Sequence, residues 1–227
     1  MAVIDENTVS SKGQLKPDQY VSYLYPEHTG LRILFVGNSI TRHGIAPAIG
    51  WHWDWGMAAS REELDYVHQT ASKVLSVCPD ACFSIVQVAE WERSYKDDEK
   101  VLHLFETARQ FAPDIIVMRL IENATVLPED WQVFQDAYGR LIRFLDGGSK
   151  AKVLITTGFW HHKGDGALRL FAEKNGYPLV ELGDLGDTDE MKALGLFEHH
   201  GVSIHPGDLG MTAIADRIFD GISDWLK

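Results

Sequence analysis

The chain has 227 residues, of which 45% are hydrophobic and 24% are charged, a composition that suits one soluble globular domain with a sizeable core. Its formal net charge of −12 argues against nucleic acid or an anionic membrane as the main partner, because phosphate groups bind to basic surfaces. No apolar stretch is long enough to span a bilayer, and the first residues show no signal-peptide pattern. The spacing of Cys78 and Cys82 fits neither a CxxC redox pair nor a zinc site, so we expect reduced thiols and a cytoplasmic protein.

Residues 1–30 are polar and mixed, and we expect them to form an irregular arm ahead of one domain spanning residues 31–227. From residue 31 onwards, short apolar runs alternate with helical patterns. This alternation predicts an α/β fold in which helices cover both faces of a mostly parallel, five-stranded sheet. The predicted strands lie at residues 31–36, 83–88, 114–118, 153–156 and 179–180.

Capping residues and glycines predict where the helices begin and end. The segment Ser60-Arg-Glu-Glu63 has the pattern of a capping box, and Asp208 is a candidate cap for the last helix. The other predicted signals are Asp97 or Asp98 as a cap, Pro128 at a helix start, and Gly147 and Gly176 at helix ends.

Ser39 follows the first predicted strand, at the edge where open α/β sheets bind their ligands. Together with His205, which lies in a Pro-Gly turn near the C-terminus, it has the residue types of a Ser–His nucleophile pair. A helix starting just after Ser39 would direct its free N–H groups at a developing oxyanion. The alternative is that Ser39 only caps a helix and His205 is an ordinary turn histidine.

Asn123 follows another predicted strand. The carboxyl ends of parallel strands share one edge, so its side-chain amide is expected near Ser39, where it could bind the oxyanion. The alternative is an asparagine that bonds its own turn.

These segments, in this order, resemble the conserved blocks of the SGNH (GDSL-like) hydrolases, a superfamily of serine esterases. Gly37-Asn38-Ser39 resembles the first block, with Asn in place of the usual Asp, and Ile121-Glu-Asn-Ala124 resembles the Gly-x-Asn-Asp block. His205-Pro-Gly-Asp208 resembles the last block, and the set is similar to a divergent bacterial branch. The resemblance runs from residue 31 to the C-terminus and implies a three-layer, flavodoxin-like sandwich. It also implies Ser39 as nucleophile, His205 as base, and Asn123 with the Ser39 N–H as oxyanion donors.

Two departures from the family pattern leave questions open. Glu92 stands where the family usually has an oxyanion-hole Gly; its backbone N–H could still serve, with its side chain paired to Arg93. Val202 occupies the position of the usual triad acid. The imidazole could then be held by a backbone carbonyl of residues 201–204, giving a Ser–His dyad, or by Glu122, Glu198 or Asp208.

Three of the seven tryptophans, Trp51, Trp53 and Trp55, lie between Gly50 and Gly56. Aromatic faces combine apolar area with polar edges, which suits stacking on a sugar ring. The alternative to a sugar-binding surface is a loop whose aromatic rings pack against each other. The predicted substrate-binding residues are Trp53, Trp55, Arg93 and Trp160.

The sequence therefore predicts a serine esterase that removes small O-acyl groups from a carbohydrate or related small molecule. It contains no dinucleotide-binding or P-loop motif and no zinc-ligand spacing, so we expect neither a cofactor nor a metal. One alternative is a catalytically weakened carbohydrate-binding protein on the same fold. Another is a metal-dependent hydrolase using His161, His162 or His200. Whether the chain forms a homo-oligomer is left open.

Overall fold

A six-stranded sheet runs through the protein in a computed structural model, which describes residues 15 and 17–226. Its strands follow the order β1-β3-β2-β4-β5-β6, with β1 antiparallel to β3 and all other pairs parallel. The parallel strands alone have the flavodoxin-like order, in which the direction of winding reverses beside β2. The strands are β1 (Val21–Leu24), β2 (Arg32–Gly37), β3 (Cys82–Gln87), β4 (Ile115–Arg119), β5 (Lys152–Thr156) and β6 (Leu179–Val180).

The predicted α/β fold is confirmed, but the sheet has six strands rather than five. The additional strand, β1, comes from the segment that we expected to be irregular. It has only four residues and lies half-buried at the edge of the sheet, so it lacks the continuous apolar run that marks β2, β3 and β4.

Helices cover both faces of the sheet and create two main cores. The helices are α1 (Tyr66–Leu75), α2 (Ala89–Ser94), α3 (Glu106–Gln110), α4 (Trp131–Asp146), α5 (Asp165–Asn175), α6 (His200–Ser203) and α7 (Asp208–Ile222). Helices α1 and α7 pack on one face, while α2, α3, α4 and α5 pack on the other. The result is a three-layer sandwich.

Two predicted helix caps are wrong. Helix α1 begins after Asp65, whose carboxylate accepts a hydrogen bond from the His68 N–H, so Ser60 is not its cap. The N–H and hydroxyl of Ser60 instead donate to the carboxylate of Asp208, at 2.8 and 2.7 Å. Gly207 caps α7, and Asp208 lies in its first turn. The two expected caps therefore bind each other and join the loop before α1 to α7.

The segment after Asp97 is also less regular than predicted. Short 3₁₀ turns occupy most of it, and α3 begins only at Glu106. Asp98 caps no helix, because its buried carboxylate accepts hydrogen bonds from Arg140. The predicted ends of α4 and α5 are confirmed, since Gly147 and Gly176 adopt left-handed conformations there with φ of +56° and +68°. Across residues 15 and 17–226, no helix is long and apolar enough to cross a membrane.

Candidate active site

Ser39 lies just beyond β2, at the point where the strand order reverses and where ligands bind in such sheets. The chain turns sharply here, because the N–H groups of Thr41 and Arg42 both donate to the Asn38 carbonyl oxygen at 2.9 Å. No helix follows this turn; the next regular element is a 3₁₀ turn at Pro47–Ile49. The expected helix N-terminus behind Ser39 is therefore absent, and no helix dipole acts from that position.

Gly37, the last residue of β2, allows this turn to approach β4 closely. A side-chain Cβ at this position would lie 2.7 Å from the backbone oxygen of Arg119 and would overlap the Thr41 hydroxyl. Because any larger residue would force β2 and β4 apart, Gly37 keeps Ser39 next to the end of β4.

His205 lies in the turn between α6 and α7, with its Nε2 atom 2.9 Å from the Oγ of Ser39. Its Nδ1 atom lies 2.6 Å from the carbonyl oxygen of Gly201. A carbonyl can only accept, so Nδ1 carries the proton and Nε2 offers a lone pair to the Ser39 hydroxyl. The arrangement is that of a Ser–His dyad supported by a backbone carbonyl.

None of the three carboxylates considered as triad acids accepts from Nδ1 of His205, and two of them have other partners. Glu122 is bound by Arg119 and by the Phe159 N–H, and Asp208 is bound by Ser60. Glu198 is exposed. Since Nδ1 of His205 donates to the Gly201 carbonyl, the backbone-carbonyl alternative is the one observed, and Glu122 does not hold the imidazole.

Burial lowers the pKa of the His205 imidazole from 6.5 to about 4, although the Gly201 carbonyl partly opposes this shift. His205 is therefore neutral, with Nε2 unprotonated, at any pH well above 4. A carboxylate in contact with Nδ1 would raise this pKa by stabilising the imidazolium. The charge of Glu122 also raises it, but by less than burial lowers it.

The low pKa of His205 should make the protein sensitive to acid. The unfolded chain binds a proton at this residue from about pH 6.5, whereas the folded chain does so only near pH 4. Stability is therefore lost as the pH falls between these values. Relative to a His205→Asn variant, we expect the wild type to lose about 3 kcal/mol of unfolding free energy between pH 7 and pH 4.

Urea unfolding of both proteins at pH 7, 5.5 and 4 measures this difference. A His161→Asn variant is the matched control, because this imidazole is largely exposed. It should follow the wild type at each pH. Parallel curves for the wild type and His205→Asn would contradict the lowered pKa of His205 in the folded protein.

A buried polar network lies directly beneath Ser39. Asn38 donates from Nδ2 to Glu92 Oε1 at 3.0 Å and to Glu122 Oε2 at 2.6 Å. Its Oδ1 atom accepts from Arg119 Nη1 at 2.9 Å. All four hydrogen-bonding positions of this amide are used, counting a 3.3 Å bond from the Ile40 N–H to Oδ1. The amide orientation is therefore determined by its partners.

This network accounts for asparagine at position 38, where the SGNH hydrolases that the sequence resembles usually have aspartate. Two carboxylates, Glu92 and Glu122, lie against the Nδ2 side of residue 38. An aspartate there would bring a third negative oxygen against them, which is strongly unfavourable in a buried site. An asparagine at position 38, and not an aspartate, is thus compatible with the two carboxylates of Glu92 and Glu122.

The predicted use of the Glu92 backbone as an oxyanion donor is wrong. Its N–H donates to the Val88 carbonyl oxygen at 3.0 Å, within the first turn of α2. Its side chain does not pair with Arg93, which instead pairs with Glu90 at 3.4 Å. The Glu92 carboxylate accepts from Asn38 and Asn123 and is almost completely buried.

Asn123 joins the same network on the other side of Glu92. Its Nδ2 atom donates to Glu92 Oε2 at 2.7 Å, and its backbone N–H lies 3.4 Å from Glu92 Oε1. One Nδ2 hydrogen remains for another acceptor. The N–H of Ser39 also has no acceptor among the described residues. These are the two donors that the resemblance assigns to the oxyanion, and their role stays a prediction.

The tryptophan loop mostly packs on itself. Trp51 is fully buried, and Trp55 donates from Nε1 to the Ala59 carbonyl oxygen at 3.0 Å. Trp53 is 39% exposed and lies against Trp55, with ring centroids 5.6 Å apart. Trp160 contacts His205 edge-on, with ring centroids 5.5 Å apart. Trp53 and Trp160 therefore retain accessible aromatic surface, and Trp160 lies beside the dyad.

Sequence reasoning missed Arg119, the guanidinium that holds Asn38 and Glu122. It is fully buried at the end of an otherwise apolar strand. A charged residue within such a run is rarely buried unless it is paired. The presence of Glu122 three residues after Arg119 was the sequence signal that could have indicated this ion pair.

Comparisons with known proteins identify the fold. No protein-family model and no curated protein sequence matches the chain. A two-domain esterase active on acetylated mannans (CEX) superposes with a TM-score of 0.59 at 15% identity, over 87% of this chain and 50% of that one. A family two carbohydrate esterase from Cellvibrio japonicus has a TM-score of 0.58 at 18% identity, over 89% of this chain and 64% of that one.

An acetyl xylan esterase (Est2A) from Butyrivibrio proteoclasticus has a TM-score of 0.54 at 14% identity, over 87% of this chain and 64% of that one. The chain thus spans half to just under two thirds of the length of these enzymes. At sequence identities this low, the similarity is one of backbone fold. The chain therefore shares the α/β fold of these carbohydrate esterases.

Proposed function

We propose that the protein is a serine ester hydrolase that removes small acyl groups, above all acetyl, from a carbohydrate. The observation that carries this proposal is the chain of contacts from Ser39 Oγ through His205 to the Gly201 carbonyl oxygen, at 2.9 and 2.6 Å. A serine hydroxyl becomes nucleophilic when an adjacent base accepts its proton, and these contacts place a neutral imidazole in that position.

The reaction begins with attack of Ser39 Oγ on the ester carbonyl carbon, while the hydroxyl proton moves to Nε2 of His205. The carbonyl oxygen becomes an oxyanion that the Ser39 N–H and the free Nδ2 hydrogen of Asn123 stabilise. The tetrahedral intermediate then expels the sugar alkoxide, which takes the proton from His205. Water, activated by the same imidazole, attacks the acyl-Ser39 ester and releases acetate with restoration of the Ser39 hydroxyl.

The carbohydrate part of the proposal draws on two observations. Trp160 lies beside His205, and Trp53 offers an exposed aromatic ring, which suits stacking on a sugar. The structures that share this fold include esterases described as active on acetylated mannans and on acetyl xylan. We extend this substrate class to the present chain as part of the proposal.

The test is acetate release from acetylated xylo- and manno-oligosaccharides, combined with labelling by a fluorophosphonate. Ser39 should displace fluoride from the reagent, and mass spectrometry should locate the adduct on the peptide containing Ser39. Boiled protein controls for non-specific labelling. Absence of both acetate release and adduct would contradict the proposal.

A carbohydrate-binding protein without turnover is the second candidate, favoured by the lack of a carboxylate at His205 and by its low pKa of about 4. It predicts that calorimetry detects oligosaccharide binding of equal strength in the wild type and in Ser39→Ala, with no acetate released by either protein. Acetate release by the wild type alone would exclude this candidate.

A further inference from the structure

We infer that Glu92 is a positioning residue. Its ionised carboxylate accepts a hydrogen bond from Nδ2 of Asn123 and so holds the Asn123 amide with Nδ2 towards the network. The ionisation of Glu92 therefore determines the orientation of the amide that donates to the oxyanion. This inference rests on the proposed function, because it deepens the role of the same site. Its basis is that Glu92 contacts Asn38 and Asn123 at once, through donors at 3.0 and 2.7 Å.

The position of Glu92 in the fold makes it a link between three neighbouring strands. It lies on α2, which follows β3, while Asn38 follows β2 and Asn123 follows β4. These strands are adjacent in the order β3-β2-β4. One buried carboxylate therefore ties together the loops that carry the nucleophile and the proposed oxyanion donor.

An ionised carboxylate can only accept hydrogen bonds, so it requires each asparagine to present Nδ2 rather than Oδ1. A protonated Glu92 would need an acceptor for its own hydrogen. Asn38 cannot provide one, since its Oδ1 is already held by Arg119 at 2.9 Å. Asn123 can, by turning its amide so that Oδ1 accepts from Glu92. That rotation moves Nδ2 from its place in the site.

The charges around Glu92 favour titration at this residue alone. Glu122 is paired with Arg119 and accepts from the Phe159 N–H, and these contacts lower its pKa. Glu92 has no cation in contact, so burial and the charge of Glu122 raise its pKa to about 7. Glu122 therefore stays ionised while Glu92 exchanges a proton near neutral pH.

Three other titratable side chains that interact with these carboxylates keep their charge in this range. Burial raises the pKa of Tyr138 on α4 and of Tyr66 on α1, so both phenols stay neutral. His205, on the turn before α7, has a pKa of about 4 and is neutral as well. A transition in activity near pH 7 would consequently report on Glu92 and not on the catalytic base.

The sign of the effect follows from these assignments. Above pH 7 the Glu92 carboxylate is ionised, and Asn123 keeps Nδ2 in place. Below pH 7 the protonated form lets the amide turn. We therefore expect kcat for acetyl ester hydrolysis to rise with pH through a midpoint near 7, with little change in KM, because the oxyanion exists only after attack.

The experiment compares the pH dependence of kcat in the wild type, Glu92→Gln and Glu122→Gln. Glutamine at 92 does not ionise, so the transition near pH 7 should disappear, and kcat at pH 8 should fall about 10- to 100-fold. Glu122→Gln removes the charge that raises the pKa of Glu92, so its transition should move to lower pH. Glu106→Gln, at an exposed site on α3, is the control and should retain the wild-type profile.

A Glu92→Gln variant that keeps the transition, or that keeps the wild-type kcat at pH 8, would overturn the inference. A second measurement does not depend on turnover: the side-chain amide signals of Asn123 in ¹⁵N NMR spectra, identified by their loss in Asn123→Ser. They should shift with a midpoint near pH 7 in the wild type and stay constant in Glu92→Gln.

These two measurements separate the inference from the proposed function. Amide signals that titrate in a protein without esterase activity would overturn the proposed function and leave the link between Glu92 and Asn123 supported. Amide signals that are independent of pH in the wild type would overturn the inference even if the protein hydrolyses esters. Because the NMR titration uses the wild type, its result does not depend on the folding of any Glu92 variant.

Discussion

Replacing Ser39 with alanine should lower kcat for acetyl ester hydrolysis by about 10⁴- to 10⁶-fold, because the nucleophile is lost while the rest of the site remains. His205→Ala should cause a loss of the same order, since Nε2 is the only base within 2.9 Å of the Ser39 hydroxyl among the described residues. The double variant should be no worse than either single one. Residues that act as a unit in one step do not have additive effects.

Initial-rate kinetics with an activated acetyl ester and with an acetylated oligosaccharide measure this loss. Ser76→Ala is the matched control, because its hydroxyl donates to the Lys73 carbonyl oxygen at the exposed end of α1. It should retain wild-type rates. Equal rates for Ser39→Ala and the wild type would show that any hydrolysis proceeds without Ser39.

Much of the sheet could be predicted from the sequence because β2 to β5 are buried on both faces. The apolar runs at β2 to β6 place each strand within one residue of its observed bounds. Strand β1 could not be found in this way. Its four residues are stabilised by pairing with β3 in the antiparallel direction, and such pairing leaves no local signal in a short edge strand.

The caps show the same limit. Ser60 and Asp208 each have a local pattern that suits a helix start, yet they bind each other across 148 residues of sequence. A capping residue competes for any donor or acceptor that tertiary packing brings near it. Local patterns therefore predicted that helices follow these residues, but not which groups the side chains would bind.

Some features of the candidate site could be predicted from the sequence and others could not. Ser39, Asn123 and the strand ends that carry them could be predicted to share one edge, because parallel strands impose that arrangement. The partners of Glu92 and Glu122 could not. Glu92 binds amides from the ends of β2 and β4, and Glu122 binds the amide at the end of β2, so these pairings depend on three loops meeting in space. The pair of Glu122 with Arg119, three residues away on the same strand end, is the exception. The Gly201 carbonyl is a backbone group and so leaves no residue-specific signal.

The surroundings of His205 and those of Glu92 differ in charge. His205 is a neutral base without a carboxylate, whereas the network under Ser39 holds two carboxylates and one guanidinium. Negative charge is thus concentrated beneath the proposed oxyanion donors and not beside His205. In the proposed reaction the contribution of these donors depends on how the amides are oriented, which makes Asn123 the residue to test.

Replacing Asn123 with alanine should lower kcat about 10²- to 10³-fold and leave KM nearly unchanged, because an oxyanion-hole donor acts only on the charge that develops after attack. The variant also removes one donor from the buried Glu92 carboxylate, which should raise the pKa of Glu92 further. The measurement is kcat and KM at pH 8.5, where most of the Glu92 in the wild type is ionised.

Asn175→Ala is the control for losing an asparagine amide, since its Nδ2 donates to the Phe171 carbonyl oxygen at the end of α5. It should keep the wild-type kcat. If Asn123→Ala also keeps a kcat close to that of the wild type, Asn123 serves only to satisfy Glu92, and the oxyanion must be held by the Ser39 N–H and other donors. A large rise in KM at constant kcat would instead place Asn123 in ground-state substrate binding.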